Sequence, residues 1–243
     1  MKQFVFLAIA MFIYSATFAQ AVKKTSTTLN QETVVTVGPE EKSGYSVFQL
    51  GVSFPGGDLG DEDYVGVGTG FGIGLKSYKP LESMLPNLSL VFGAELYYHG
   101  LSSDVKDDWE ENYGSSADIT YPMYFNLPVT IGANYTLPLQ NSLGVYGEFA
   151  LGANVSYITK EALEDGDEKY ECSYDPAFGF CYGIEAGIVL NNKFHIGIRH
   201  NNLGSYKYKW KEEYSSPSYS WDDKGKTEKI DLSNTVIVLG IRF

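Results

Sequence analysis

The sequence predicts an all-β fold: an eight-stranded antiparallel up-and-down transmembrane β-barrel with long extracellular loops and shorter periplasmic turns. Three observations carry that reading. Among 243 residues there are 26 glycines, 19 tyrosines and 14 phenylalanines but only 9 prolines. Such a composition suits strands in close contact rather than a helical bundle or a disordered chain. After Gly44 the chain repeats one pattern eight times, about ten residues of apolar/polar alternation and then a connection. The connections themselves alternate between long and short.

Taken in order, Lys2 precedes an apolar run from Phe4 to Tyr14, followed by small residues and Ala19-Gln20-Ala21. This reads as a secretory signal peptide over residues 1–19, cleaved after Ala19 or, by its small-residue pattern, after Ala21. The run is too short to span a bilayer as a helix. Residues 20–43 are polar with little periodicity and read as a flexible periplasmic segment, within which 34–37 is a strand candidate without a partner. The barrel domain follows over 44–243, with strands expected at 45–54, 65–77, 88–101, 123–135, 143–159, 177–190, 194–202 and 233–243.

The two faces of these strands differ. One is bulky, with Phe48, Leu50, Val52 and Phe54, then Val67, Phe71, Ile73 and Leu75, and at the end Ile237, Leu239, Ile241 and Phe243. The other is small or polar, with Gln49, Gly51 and Ser53, then Gly70, Gly72, Gly74 and Lys76. A soluble sheet turns its bulky face inward, whereas a membrane barrel turns it to lipid. The connections decide between them. Those at 56–64, 102–122, 160–176 and 205–232 are long, polar and hold most of the 30 acidic residues; those at 79–87, 136–142 and 191–193 are short. Long loops on one side and short turns on the other describe an outer-membrane barrel whose N-terminus is periplasmic. An even strand count closes the sheet and removes its edges.

Tyr124-Phe125-Asn126-Leu127-Pro128-Val129-Thr130, then Leu143-Gly144-Val145-Tyr146-Gly147-Glu148, and later Phe180-Cys181-Tyr182-Gly183-Ile184-Glu185-Ala186-Gly187, are similar to the "porin-like" outer-membrane β-barrel family common in Bacteroidetes. The resemblance spans residues 44–243. It implies architecture and a place in the outer membrane of a Gram-negative bacterium, and no activity, because that family has none in common. Asn126 stands where the family prefers a Glu. The ending Leu239, Ile241, Phe243 resembles the C-terminal signal that the barrel-assembly machinery reads. Pro128 lacks an N–H for the ladder, which predicts either a bulge or a missing bond there.

Alternation places Lys76, Glu95, Glu148, Glu185, Arg199 and Arg242 on the inward face. With Asn192 at the centre of a three-residue turn, Glu185 and Arg199 face each other, and Glu148 lies at a similar height. Buried charges must be paired, and an eight-stranded barrel is just wide enough for side chains to fill. A side-chain-filled lumen with an ion-pair network is therefore expected, and a charged constriction that selects ions is the alternative.

Other chemistry is sparse. The histidines are His99 and His195, both inward, and His200, facing lipid near the outer boundary; none forms a recognisable triad. The acidic stretches at 58–63 and 164–168 lack the spacing of a calcium loop and read as solvated. Cys172 and Cys181 sit in an oxidising compartment, which leaves a disulfide and two free thiols both open. Alternation continues through Tyr206-Lys207-Tyr208-Lys209-Trp210-Lys211, so that strand is expected to run past the membrane, its aromatics forming an interfacial girdle and then standing in solvent, or offering a platform to a partner.

The expected protein is a small, monomeric, non-enzymatic outer-membrane barrel serving envelope integrity or surface interaction through acidic loops. A narrow channel for ions or small solutes comes second and a lipid-modifying enzyme third. Expected contacts are outer-membrane lipid and lipopolysaccharide, the barrel-assembly machinery during biogenesis, and a surface protein or glycan. The net charge of −12 argues against nucleic acid. No cofactor or metal is expected.

Overall fold

The computed structural model describes residues 44–61, 65–81, 83–113, 117–140 and 142–243. The signal-peptide reading with its cleavage points, and the 20–43 segment, lie outside the described residues. The elements are β1 (Tyr45–Gly57), β2 (Gly70–Pro80), β3 (Leu88–Gly100), α1 (Ser103–Tyr113), β4 (Asp118–Thr120), β5 (Met123–Gln140), β6 (Leu143–Ile158), β7 (Glu161–Asp165), β8 (Glu168–Tyr174), β9 (Ala177–Leu190), β10 (Phe194–Tyr206), β11 (Lys209–Ser215), β12 (Ser220–Lys226) and β13 (Ile230–Arg242).

Eight of these strands form a closed antiparallel barrel in the order β1-β13-β10-β9-β6-β5-β3-β2. Closure joins the two ends of the domain, from Val47 opposite Arg242 to Gly57 opposite Leu232. With no free edge, the ladder satisfies the backbone without help from water, which is what hydrocarbon demands. Leu50, Phe71, Ile184, Ile198 and Leu239 lie exposed on the outside, while Gln49, Glu95, Asn126, Glu185 and Arg199 are buried within. That inversion of a soluble core is the arrangement of a membrane barrel. No described helix is long and apolar enough to cross a membrane; the strands do the spanning.

The second strand starts later than the alternation suggests. Residues 65–69 leave the wall: the amides of Val65 and Gly66 bond to the Asp61 carbonyl, and Gly66 has a φ of 62°. Val67 therefore points into the mouth of the barrel, 3% exposed, and not to lipid. Pro128 causes no bulge. β5 pairs with β3 from Gly100 to Tyr97 and again from Ala94, in one unshifted register, so Pro128 leaves a local gap in one ladder. On its other side β5 pairs continuously with β6.

Three of the four stretches read as long polar loops carry regular structure. Ser102 caps α1, accepting the Val105 amide at 3.3 Å. The same stretch continues into β4, and the other two contribute β7, β8, β11 and β12; these five make a second sheet in the order β12-β11-β8-β7-β4. This order repeats that of the barrel strands beneath, β13-β10-β9-β6-β5. The upper sheet is thus part of the barrel wall carried beyond the membrane. The strands break beside one another at Tyr121-Pro122, Thr159-Lys160, Asp175-Pro176, Lys207-Tyr208 and residues 227–229.

Candidate functional site

The charged residues of the lumen come together at mid-height. Arg199 on β10 is opposite Glu185 on β9, and Glu185 is opposite Glu148 on β6. Lys76 on β2 reaches across to both, donating to Glu148 Oε1 and, at 2.8 Å, to Glu185 Oε2. Its Nζ lies 3.7 Å from Glu95 Oε1. Arg199 pairs with Glu95 and Glu185 through separate nitrogens, its Nε donating to Glu185 Oε2 at 2.7 Å, and Nη2 donates to Gln49 Oε1 at 2.7 Å. Three carboxylates thus share two cations, each side chain at most 8% exposed.

Tyrosines complete the set. Tyr146 donates to Glu185 Oε1 at 2.5 Å, Tyr78 to Glu148 Oε2 at 3.1 Å, and Tyr97 to Glu95. They escaped the sequence reading, although Tyr78, Tyr97 and Tyr146 stand two positions from Lys76, Glu95 and Glu148 and so share their face. Glycines make the room. A Cβ on Gly74 would lie 2.8 Å from Glu95 Cγ, and one on Gly72 2.7 Å from the Tyr97 ring. Arg242 is not part of the network. It sits where the last strand ends and lays its guanidinium over the Tyr45 ring at 3.7 Å.

The network is stoppered on both sides. Toward the periplasm, Tyr45 stacks on Tyr78 at 4.7 Å, with Val47 and Val91 buried beside them and His195 beside Tyr146. Toward the outside lies a layer of amides. Asn201 donates to Asn234 at 2.8 Å, Asn234 to Ser53 at 2.9 Å, and Asn154 to Asn126 at 3.0 Å. His99 is buried there, its Nε2 2.9 Å from the Ser53 hydroxyl. Above it Leu59, Val67, Ile158, Leu203, Tyr206 and Tyr208 form an apolar plug. A cavity of about 20 Å³ lies against the charged layer, room for about one water-sized molecule.

Tyr206 and Tyr208 overturn the girdle expectation. A bulge between Asn202 and Gly204, where Gly204 takes a φ of 107°, shifts the alternation by one and sends both rings inward. They are 3% and 1% exposed, and the Tyr208 hydroxyl lies 2.6 Å from that of Ser156. β11 then pairs with both β8 and β12, so it is an interior strand of the upper sheet.

That sheet has two unlike faces. The one continuing the lumen side carries a row of Trp221, Tyr214, Tyr170 and Leu163, then Asp223, Glu212, Cys172 and Glu161, then Trp210 and Tyr174. Tyr174 packs against the plug, and Tyr214 stacks on Trp221 at 6.2 Å. Burial raises the Glu161 carboxyl and the Tyr170 and Tyr174 hydroxyls above their usual pKa. The opposite face is charged, with Lys169 between Glu164 at 2.7 Å and Glu171 at 2.9 Å.

Cys172 and Cys181 are both buried and free. Cys172 belongs to the upper sheet, opposite Glu212, and Cys181 faces the lumen opposite Gly152. The chain runs on from β8 into β9 without a hairpin, so the two Cα atoms are carried beyond the ~7 Å that a disulfide spans. Burial pushes the Cys172 thiol up to about 11. His200 faces outward, its Nδ1 3.2 Å from the Thr235 hydroxyl. Among the described residues no cluster of His, Cys, Asp or Glu could hold a metal ion. At the chain end Leu239, Ile241 and Phe243 are exposed on the outside.

No protein-family model matches the sequence, and no curated protein does. Among solved structures, the chain is similar to a major outer membrane protein from Thermus thermophilus, with a TM-score of 0.52 and 11% identity over 83% of this chain and 100% of that one. Neisserial surface protein A follows with a TM-score of 0.45 and 11% identity over 82% and 95%. OprG of Pseudomonas aeruginosa gives 0.44 and 16% over 84% and 97%. The likeness is one of fold: the chain has the fold of the small outer-membrane β-barrels.

Proposed function

We propose that the protein is a closed, non-enzymatic barrel of the Gram-negative outer membrane whose working part is the wall raised above the bilayer. One observation supports this most: segments from three separate connections join into a single five-stranded sheet that continues the barrel wall. Solvated loops have no need of such a construction. The network and its two stoppers fit a structural lumen, which anchors that sheet rigidly. The aromatic and acidic face above the mouth offers a surface protein or a glycan ring planes to stack on and carboxylates to accept hydrogen bonds.

In this reading residues 1–19 are the export signal, the chain is of the Bacteroidetes "porin-like" type, and Leu239, Ile241 and Phe243 serve the assembly machinery. The barrel works as a monomer.

The test is conduction combined with surface exposure. Purified protein in planar bilayers should give no stable current, and a protease added to intact cells should reach the 216–219 turn. Discrete conductance that changes in Glu185→Gln replaces the closed lumen with a narrow ion channel. A turn protected on intact cells but cut after lysis reverses the orientation.

A further inference from the structure

The outward face of the upper sheet carries an arrangement that the proposed function leaves unused. Lys209 is directly opposite Lys226, and Lys211 directly opposite Lys224, on neighbouring strands and on one face. Like charges placed opposite each other destabilise a sheet, and this chain has a net charge of −12. Lys160, Lys169, Lys211 and Lys229 each have a carboxylate within ion-pair distance. Among the described residues Lys207, Lys209, Lys224 and Lys226 have none. All four are exposed.

Their height is informative. Lys207 and Lys209 stand at the foot of the upper sheet in one cleft with Phe178, Lys226 lies opposite Lys209 on the next strand, and Phe178 and Phe180 are 73% and 62% exposed on the outer face below. Between β9 and β10 the ladder stops at Tyr182 opposite Asn202, and pairing resumes above at Tyr174 opposite Trp210. A cleft of about 230 Å³ opens in this interval, with Phe178 and Pro176 on one side and Ser205, Lys207 and Lys209 on the other; Asp175 is the acidic group in its lining. An occupant must therefore be anionic where it meets the lysines and apolar immediately below.

We propose that Lys207, Lys209, Lys224 and Lys226 bind the phosphate groups of outer-leaflet glycolipid, with the cleft seating the headgroup at the hydrocarbon boundary. The lysines supply point charges to phosphate oxygens, and the anion relieves the repulsion between opposed lysines. The site rests on the outer-membrane reading for its lipid, but not on a closed lumen or on any partner of the aromatic face.

The experiment uses the full folded chain in phosphatidylcholine nanodiscs, titrated with fluorescent bisphosphorylated lipid A, with the same lipid after phosphatase treatment, and with inorganic phosphate as competitor. Bisphosphorylated lipid should bind at least about tenfold more tightly than the dephosphorylated form, the scale of one charge-assisted contact, and weaken with salt. Replacing the four lysines with glutamine should remove that preference. Lys160→Gln/Lys169→Gln/Lys229→Gln, which removes paired lysines, should retain it. Both variants should keep their heat-modifiable mobility, since all these side chains are exposed. Equal affinity for the two lipids, equal loss in both variants, or displacement by equimolar inorganic phosphate overturns the proposal. A protein that gives no heat-modifiable barrel in nanodiscs overturns the outer-membrane reading instead.

Discussion

The same five-strand order serves two solvents, and the contrast between its lower and upper parts is instructive. Below the breaks, the outer face is Phe, Leu and Ile and the inner face Glu, Asn and Gly. Above them, the outer face is Lys and Glu and the inner face Tyr, Trp and Leu. Hydrogen-bonded order survives the crossing while polarity inverts. The ladder fixes which strands are neighbours; the medium fixes which side chains each face carries. The inversion requires an odd number of residues to be absorbed at the breaks. β10 does so by its bulge at Asn202/Gly204, and the other strands do so in their two- or three-residue interruptions.

The largest expected effect separates the two parts by burial. Glu185→Gln or Arg199→Gln breaks a buried pair, with Glu95 left to Arg199 in the first and Lys76 left to Glu185 in the second, and should cost up to about 3–5 kcal/mol in urea unfolding followed by heat-modifiable mobility. Neutralising both should be milder than either alone, read as a double-mutant cycle. Glu164→Gln, in an ion pair more than 40% exposed on each side, should have no measurable effect. Equal costs in lumen and tip would abolish the distinction.

Next comes the plug. Tyr208→Ala should cost about 3–4 kcal/mol, the range for emptying a buried aromatic site. Tyr214→Ala, on the same face but half-buried, should cost about 1 kcal/mol by the same unfolding assay. The smallest effect is one of pH. Burial raises the Glu161 carboxyl above its usual 4.5, so the folded hairpin keeps a proton that the unfolded chain releases. That contribution is complete below 4.5 and is lost as pH rises through the folded pKa. Amide protection in β7 and β8, taken relative to the intrinsic base-catalysed rate, should therefore fall from acid toward neutral pH, and Glu161→Gln should flatten the trend. An unchanged slope in the variant would assign it to another group.

The barrel was largely legible because lipid leaves a strict period of two. Leu50, Val52 and Phe54 alternate with Gln49, Gly51 and Ser53, and the three-residue turn at Asn191-Asn192-Lys193 sets Glu185 opposite Arg199. Parity also found Lys76, Glu95 and Glu148. It failed for Arg242, since at a strand end a long side chain can turn along the rim. It failed again for Tyr206 and Tyr208, because a single bulge residue flips every later position and Gly204 alone does not announce it. Alternation through 206–211 shows one strand running past the membrane into β11; the rest of the upper sheet reads as loop because its segments are short and charged, and their β-structure depends on the barrel strands that hold them side by side.

The β1–β13 seam has a consequence for how the chain folds. It joins the first and last strands of the domain, so its pairing carries the largest loop-closure entropy in the molecule and is expected to form last. The β7–β8 hairpin, turning at Gly166 with a φ of 59°, is local by comparison and can form early. Folding thus leaves β1 and β13 as two open, unsatisfied edges until the end. A chain lacking its last strand would keep β1 and β10 exposed as templates for a neighbour, turning an intermediate into a nucleus for aggregation.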